Sequence, residues 1–249
     1  MKVNYSFELS KIFMFFKQRI RQYLVKKMGL PEIPTSLERL AKLGFNPTQI
    51  FDVGAYRGDF ASLCVEYFPN SKVACFEVLE HRVAQLNILA SKNSFIQVFP
   101  TLLGFKIQEK VKFNQAETAS SVLVEQFPQN FPVKSYPMTT IDEIVHQHFT
   151  EKSPEFLKLD VQGYELEVLK GTEKSLKGIQ VILAEVNLLD IHQNVPLLSE
   201  VIRWLDERDW VAYDICGLTR RPIDQALWQA DFIFVPRNSP LRSDKRWDA

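Results

Sequence analysis

Apolar residues near the start of the chain recur at the three- and four-residue spacing of an amphipathic helix. Between residues 7 and 28 this spacing includes Leu9, Ile12, Phe13, Phe16, Ile20, Tyr23 and Leu24. The intervening positions are mostly basic, and Gly29 and Pro31 end the pattern. We expect residues 1–30 to form a basic amphipathic helix. Such a helix would cap the main domain, form a homodimer, or make peripheral membrane contact through residues 7–28.

The remainder, residues 31–249, alternates short apolar runs with segments of helical periodicity. The apolar runs predict strands at 49–53, 71–76, 95–99, 156–160, 180–186, 211–215 and 232–235. The helical patterns predict helices at 36–43, 59–68, 80–91, 165–170 and 196–207. This alternation is typical of a Rossmann-like α/β domain, with a doubly wound, mainly parallel sheet and helices on both faces. In such a sheet the ligand binds at the carboxyl ends of the strands.

Residues 106–137 interrupt the alternation. Residues 111–113 suit a short hairpin strand. The remaining part is rich in proline and phenylalanine and indicates an irregular loop, with Phe127, Pro128, Phe131, Pro132 and Pro137. A long loop in a compact domain is often a lid or a substrate-binding segment, and a plain surface excursion is the alternative.

Composition and charge restrict the class of protein. Thirty basic residues balance thirty acidic ones, so no overall positive charge favours a nucleic acid as a partner. Cys64, Cys75 and Cys216 are scattered and lack a C-x-x-C spacing, which disfavours a disulfide framework or a structural zinc site. The sequence has no run of about eighteen apolar residues, so we expect no transmembrane helix and a cytoplasmic location.

The turn after the first predicted strand carries the first candidate binding residues. Residues 51–59 read F-D-V-G-A-Y-R-G-D, and glycines in such a turn let the backbone approach a ligand closely. The turn lacks the G-x-G-x-x-G spacing that binds a pyrophosphate, so it suits a ligand with an adenosine and no phosphates. We expect Asp52 to hold an amino group of this ligand, directly or through water, with Gly54, Tyr56 and Gly58 around it. A tight structural turn is the alternative.

Acidic residues lie at the ends of further predicted strands. Glu77 follows the second strand, where an acidic residue in Rossmann-like folds accepts hydrogen bonds from the ribose hydroxyls; an unpaired surface glutamate is the alternative. Lys158 and Asp160 share one face of their strand, and a charged residue on a central strand must pair or reach a cleft. A structural ion pair and a catalytic role both satisfy this condition. Glu185 and Asn187 end the next strand at the same rim.

Together these residues resemble the motifs of the FkbM-type methyltransferases. The likeness extends from about residue 37 to residue 235. It rests on D-V-G-A-x-x-G at 52–58, F-E at 76–77, T-T-I-D at 139–142, L-K-L-D-V-Q-G-Y-E-L-E-V-L-K-G at 157–171 and L-A-E-V at 183–186. The resemblance implies a class I methyltransferase fold and S-adenosylmethionine as methyl donor. It also implies O-methylation of a hydroxyl, often on a sugar or a polyketide-type natural product.

Three positions depart from the family pattern. Tyr56 stands where Asn is usual, which alters the contacts around the methionine part of the cofactor. Val78 replaces a usual Pro, and Gln162 replaces a common Glu. The neighbouring sequence T-I-D-E at 140–143 is a capping box, so we interpret Asp142 as structural.

Methyl transfer to an alcohol requires removal of the hydroxyl proton by a general base or a metal. Asp160 is the first candidate base, with Lys158 setting its charge state, and Glu185 is the second. His192, interpreted as an exposed histidine just past the strand, is the third. Asp160 and Glu185 are an alternative oxygen site for Mg²⁺, but two separated acids make a weak metal site, so we assign no metal ligand.

Two other functions are consistent with parts of the sequence. An NAD-dependent oxidoreductase is disfavoured by the spacing of the glycines in the turn. A non-catalytic S-adenosylmethionine-binding or membrane-associated interaction protein is the other alternative. The function that we expect is an O-methyltransferase whose partner is a small-molecule hydroxyl acceptor and not a nucleic acid.

Overall fold

The computed structural model describes residues 24–25, 27–127, 130–150 and 152–248 of the 249-residue chain. In chain order its strands are β1 (Gln49–Val53), β2 (Lys72–Phe76), β3 (Ile96–Phe99), β4 (Leu102–Leu103), β5 (Gln108–Asn114), β6 (Val133–Thr139), β7 (Phe156–Leu159), β8 (Val181–Asn187), β9 (Trp210–Arg220) and β10 (Leu227–Pro236). Its α-helices are α1 (Ile33–Lys42), α2 (Asp59–Tyr67), α3 (Glu80–Lys92), α4 (Ile141–His148), α5 (Glu165–Lys170) and α6 (Leu198–Asp206).

Seven strands form the main sheet in the order β3-β2-β1-β7-β8-β10-β9. The first five strands in this order are parallel, and β10 is antiparallel to both β8 and β9. The chain moves outward from β1 to β3 and later returns to the other side of β1 with β7. The strand order therefore switches between β1 and β7, where α/β sheets bind ligands. The predicted mainly parallel, doubly wound sheet is confirmed.

The last two strands are longer than their apolar patterns predicted. β9 and β10 form an antiparallel hairpin, and their polar outer parts extend well beyond the apolar runs at 211–215 and 232–235. Within this hairpin Gly217 lies opposite Asp231, and a Cβ atom at Gly217 would lie 1.8 Å from an oxygen of that carboxylate. Because glycine has no Cβ atom, the Asp231 side chain can occupy the space beside position 217.

The hairpin strand predicted at 111–113 lies within β5, but the irregular loop predicted up to Pro137 ends earlier, at residue 132. Strands β4, β6 and β5 form a second, three-stranded sheet, and Pro137 lies inside β6. A proline cannot donate a hydrogen bond in a ladder, so it is tolerated in a strand at a bulge. The register between β5 and β6 shifts between Gln108 and Val111, opposite this proline. The pattern of β6 alone does not predict this strand, because the irregularity that accommodates Pro137 lies in its pairing with β5.

Aromatic residues pack against one another in the apolar layers on both faces of the main sheet. On one face the ring of Phe51 lies 5.1 Å from that of Phe76 and 4.8 Å from that of Phe149. On the other face the ring of Phe156 lies 5.7 Å from that of Phe45. Two charged residues, Asp52 of β1 and Lys158 of β7, are buried between these apolar layers. Both lie near the carboxyl ends of their strands, next to the candidate site.

Most of the predicted N-terminal helix lies outside the described residues. Residues 24–25 and 27–28 are helical, and Val25 is buried. The roles expected for residues 7–28, as a cap, a dimer contact or a membrane contact, therefore stay predictions. Within the part of the chain that the structure describes, no helix is long and apolar enough to cross a membrane.

Candidate active site

A cavity of about 280 Å³ opens at the carboxyl ends of β1, β2 and β7. Its apolar wall includes Phe76, Val78, Leu79, Leu102, Leu103 and Phe113. Its charged side chains are Glu77, Glu117, Asp160 and Glu185, and no described lysine, arginine or histidine lines it. The volume is close to the lower end of the range for small-molecule sites, and the combination of apolar walls with a few polar groups is typical of such sites.

Two glycines shape the turn between β1 and α2. Gly54 has a φ of 75°, and a Cβ atom there would lie 1.9 Å from the carbonyl oxygen of Asp160. Glycine at this position lets the turn press against the end of β7 and line the cavity. Gly58 has a φ of 83°, and a Cβ atom there would lie 2.6 Å from Leu89. Gly58 therefore serves the packing of α3 and lies outside the cavity wall.

A buried ammonium joins β1 to β7. The Nζ atom of Lys158 lies 3.1 Å from Oδ1 of Asp52 and 3.4 Å from Oδ2 of Asp160, and it donates a 2.9 Å hydrogen bond to the carbonyl oxygen of Gly54. Burial alone lowers the pKa of Lys158, but the two carboxylates outweigh it and raise this pKa above its ordinary value. The side chain of Asp52 is fully buried against this ammonium and does not line the cavity. It is therefore not placed to contact an amino group of the ligand directly.

Glu77 lies in the cavity wall, and backbone N–H groups fix its carboxylate. Its Oε1 atom accepts hydrogen bonds from the N–H groups of Val78 at 2.7 Å and Leu79 at 2.9 Å. Its Oε2 atom accepts a 3.0 Å hydrogen bond from the N–H of Tyr56. Burial raises the pKa of Glu77, and these three donors oppose that effect. Oε2, which accepts a single backbone hydrogen bond, keeps accepting capacity for a hydroxyl group of a ligand.

The turn after β7 is held by a second buried glutamate. Oε1 of Glu165 accepts hydrogen bonds from the N–H of Val161 at 2.8 Å and of Gly163 at 3.1 Å. Gln162 between them has a φ of 53°, in the left-handed region that non-glycine residues rarely adopt. Burial raises the pKa of Glu165 to about 7. The turn that follows Asp160 is thus fixed from inside the protein.

Carboxylates from three strands meet beyond this turn. The Nε2 atom of Gln162 lies 3.0 Å from Oδ1 of Asp160 and 2.7 Å from Oε2 of Glu185. Gln229 donates a second hydrogen bond of 2.8 Å to the same oxygen of Glu185. Burial, followed by the charge of Asp160, raises the pKa of Glu185 well above its ordinary value and that of Asp231 to about 6. The sequence did not indicate Gln229 or Asp231, because both precede the apolar run that predicted their strand.

Four side chains form a polar cluster beside the glycine turn, and two of them, Tyr56 and Glu117, line the cavity. Arg82 of α3 donates a 2.6 Å hydrogen bond to the hydroxyl of Tyr56, and its guanidinium carbon lies 4.0 Å from the centre of the Tyr56 ring. Arg82 also pairs with Glu117, which lies between β5 and β6 and accepts a 3.1 Å contact from His81. Tyr56, the departure from the family pattern, therefore connects the glycine turn to two distant segments. Sequence spacing carries no signal for such a contact.

His192 is buried, which corrects its interpretation as an exposed histidine. It is 2% exposed, and it lines a smaller cavity beside Leu123, outside the wall of the larger one. Backbone hydrogen bonds from Gln193 to Val124 and from Gln126 to Ile191 cover it. Burial lowers the pKa of His192. The three candidate bases are therefore divided, with Asp160 and Glu185 at the cavity and His192 away from it.

No metal site is evident in the described residues. Among them, no group of three or more histidine, cysteine, aspartate or glutamate side chains is arranged to hold a metal ion. The two carboxylates that the sequence offered for Mg²⁺, Asp160 and Glu185, are connected by the amide of Gln162. In this arrangement an amide donor lies between the two carboxylates.

The strand order, the cavity at the switch point and the acidic residue after β2 define a Rossmann-like α/β fold of the class I methyltransferases. A family model described as the methyltransferase FkbM domain matches residues 52–211. The chain therefore belongs to the FkbM methyltransferase family, as its motifs indicated. This membership supports S-adenosylmethionine-dependent methyl transfer as its activity.

Several solved structures are similar to this chain. A precorrin-6y C5,15-methyltransferase from Geobacter metallireducens GS-15 is 10% identical, with 82% of this chain and 86% of that chain covered and a TM-score of 0.47. A magnesium protoporphyrin IX methyltransferase from Synechocystis PCC 6803 is also 10% identical, with coverage of 82% and 76% and a TM-score of 0.46. A 1,6-didemethyltoxoflavin-N1-methyltransferase from Burkholderia thailandensis is 10% identical, with coverage of 95% and 91% and a TM-score of 0.43. A comparison with curated protein sequences gave no match.

Replacing Lys158 by methionine tests the buried ion pair. The change leaves the carboxylate of Asp52 buried without a compensating charge, so we expect Lys158→Met to lower the free energy of unfolding by about 3–5 kcal/mol. The double variant with Asp52→Asn removes both charges and should lose clearly less stability. Urea unfolding of the two variants and the wild type measures the difference. Equal losses in the single and double variants would contradict a stabilising role for the pair.

Glu165 should make stability depend on pH near neutrality. Its pKa is about 7 in the folded protein and near 4.5 ordinarily, so the folded state holds a proton that the unfolded state has lost between these values. We therefore expect the free energy of unfolding to fall as the pH rises from 4.5 to 7, with a slope of up to about 1.4 kcal/mol per pH unit from this group. Glu165→Gln keeps an oxygen that accepts both backbone hydrogen bonds, and this contribution to the slope should disappear. Urea unfolding between pH 5 and 8 measures the slope of the free energy of unfolding against pH. An unchanged slope in the variant would exclude Glu165 as a source of this pH dependence.

Proposed function

We propose that this protein is an O-methyltransferase that transfers the methyl group of S-adenosylmethionine to a hydroxyl of an uncharged small molecule, such as a sugar or a natural product. The observation that carries the proposal is the position of Asp160. Its carboxylate lines the cavity, is 40% exposed, and lies beside the buried ammonium of Lys158. An alcohol must lose its proton when it is methylated, and a carboxylate at the rim provides the base for that step.

The cavity suits the nucleoside part of the cofactor. Its apolar residues, among them Phe76, Leu79 and Leu102, offer a surface for the adenine ring. Glu77 presents a carboxylate whose orientation is fixed by three backbone donors, and it would accept hydrogen bonds from the ribose hydroxyls. The Gly54 turn, pressed onto β7, and Tyr56 would border the methionine part. Asp52 and Gly58 would act indirectly, through Lys158 and the packing of α3.

S-adenosylmethionine, when bound, supplies a methyl group on a cationic sulfonium. The residues of the chain would position the acceptor and take up its proton. Asp160 accepts the hydroxyl proton, and Lys158, whose Nζ atom lies 3.4 Å from Oδ2 of Asp160, holds this carboxylate at the rim of the cavity. Glu185 is the alternative base, but burial and the charge of Asp160 favour its protonated form. We therefore place Asp160 ahead of Glu185, and both ahead of His192.

The charge of the cavity supports an uncharged acceptor. Four carboxylates line it, and the described lining residues include no basic side chain. A phosphorylated acceptor, including a nucleic acid, would bring negative charge next to Asp160, and the two cations nearby, Lys158 and Arg82, are already paired with carboxylates. A hydroxyl group instead donates hydrogen bonds to carboxylates. We therefore keep a small hydroxylated molecule as the proposed partner and not a nucleic acid.

Cofactor binding can be measured without knowledge of the acceptor. We expect S-adenosylhomocysteine to bind the wild type with 1:1 stoichiometry in calorimetry, and NAD to show no saturable binding. Glu77→Ala removes the acceptor of the ribose hydroxyls and should weaken the affinity at least about tenfold. Glu66→Ala, on the exposed side of α2, is the matched control and should bind like the wild type. If well-folded wild-type protein does not bind S-adenosylhomocysteine, the proposed use of this cavity fails.

The assignment of the base predicts the effect of Asp160→Asn. This variant keeps the shape of the side chain and loses its basicity, so turnover should fall by about 10²–10⁴-fold. Its affinity for S-adenosylhomocysteine should stay close to that of the wild type. Formation of S-adenosylhomocysteine in the presence of uncharged sugars and hydroxylated natural products provides the assay. The control is Asp209→Asn, at a side chain that is 90% exposed. Full activity of Asp160→Asn would remove Asp160 from the mechanism.

A further inference from the structure

We propose that Gln162 is a positioning residue, whose side-chain amide links the carboxylates of Asp160 and Glu185 and holds Asp160 in the orientation of the base. This inference rests on the proposed function and adds a residue that the methyl-transfer chemistry alone does not require. The residue lines the cavity, but it acts through its two carboxylate neighbours.

The link is a single amide nitrogen between two strands. Asp160 follows β7 and Glu185 lies in β8, and the Nε2 atom of Gln162 is 3.0 Å from an oxygen of the first and 2.7 Å from an oxygen of the second. A primary amide has two N–H groups, so it can donate one to each carboxylate at once. Hydrogen bonds to charged acceptors are among the stronger ones, and they constrain the orientation of both groups.

The amide is itself held in place from several directions. Glu165 binds the backbone N–H groups on both sides of Gln162, and the hydroxyl of Ser121 donates a 2.9 Å hydrogen bond to the Gln162 carbonyl. The φ of 53° at this residue is a strained backbone conformation, which persists where surrounding contacts fix it. Gln229 holds the same oxygen of Glu185 from β10, at 2.8 Å. Both ends of the link are therefore anchored.

The electrostatic surroundings explain why an amide suits this position. The groups that face the linked pair are the ammonium of Lys158 from β7, the carboxyl of Glu165 from α5 and the carboxyl of Asp231 from β10. Asp160, Glu185, Glu165 and Asp231 thus share one ammonium, which also pairs with Asp52. A neutral amide separates the two carboxylates and donates to both. A glutamate at position 162 would have to carry a proton to donate to either of them, and its charged form would repel both carboxylates.

Two substitutions at position 162 separate orientation from charge. Gln162→Met keeps a chain of similar length and the same Cβ atom, so the backbone strain is unchanged while both hydrogen bonds are lost. Gln162→Glu keeps the shape and adds an ionisable group. Gln97→Met, on an exposed position of β3, is the matched control. Thermal unfolding and binding of S-adenosylhomocysteine are measured for each variant to confirm that the fold and the cofactor site persist.

The first readout is independent of any acceptor. The carbon-13 resonance of the Glu185 carboxyl, assigned by its absence in Glu185→Gln, is followed against pH. We expect its titration midpoint to move upward by about one pH unit in Gln162→Met, because the carboxylate form loses a donor, and to move upward in Gln162→Glu. The midpoint in Gln97→Met should match the wild type. Midpoints within 0.3 unit, on the order of measurement error, in both position-162 variants would overturn the proposal.

The second readout is turnover against pH. We expect kcat of Gln162→Met to fall by about 10–100-fold with little change in the KM for S-adenosylmethionine. In Gln162→Glu the acidic limb of the pH profile should move to higher pH, which a merely structural role would not produce. Parallel losses of activity and thermal stability with an unshifted profile would overturn the positioning role. Wild-type protein that binds the cofactor analogue but methylates no hydroxyl acceptor would contradict the proposed function instead, and the Glu185 titration would still decide the link.

Discussion

The contact on which the site depends most is the buried ammonium of Lys158. It bonds to Asp52 from β1, to the carbonyl of Gly54 in the following turn, and to Asp160 beyond its own strand. These three contacts lie at the switch in strand order, where β1 and β7 are paired as parallel neighbours. One side chain therefore joins the polar groups at the ends of two strands that border the cavity. The desolvation of a charge is costly, and here three oxygen partners offset it. Of the two carboxylates that contact Lys158, Asp160 alone remains partly exposed, and its side chain can contact a ligand in the cavity.

The other polar groups around the cavity follow the same arrangement, in which buried partners orient a group at the rim. Backbone N–H groups fix Glu77, Glu165 fixes the turn after β7, and two amides fix Glu185. Water is largely excluded from these contacts, so each is stronger than it would be on the surface. The result is a cavity with apolar walls and preoriented carboxylates. Such preorganisation is typical of sites that accelerate a reaction by positioning the reacting groups.

Part of the site could be predicted because its residues adjoin strand ends. Glu77, Asp160 and Glu185 each follow or end an apolar run, and parallel strands bring their carboxyl ends to one edge. Tyr56, Arg82 and Glu117 could not be connected in this way, since their contact depends on how α3 and the segment after β5 fold over the turn. The buried position of Asp52 could not be predicted for the same reason, since it depends on a contact with another strand. Its position beside a glycine turn resembles that of a ligand contact, but alternation along β1 points its side chain to Lys158.

Hydrophobic periodicity predicted the α/β alternation, and the glycine, acidic and D-V-Q-G-Y-E motifs indicated the family, because both kinds of signal are local features of the chain. The sequence also indicated which strand ends carry carboxylates. Three features became apparent only in the folded protein: the second sheet around Pro137, the burial of His192, and the link from Asp160 through Gln162 to Glu185. These features depend on contacts between segments that are distant in the chain, and their energies come from burial and pairing that no local pattern encodes.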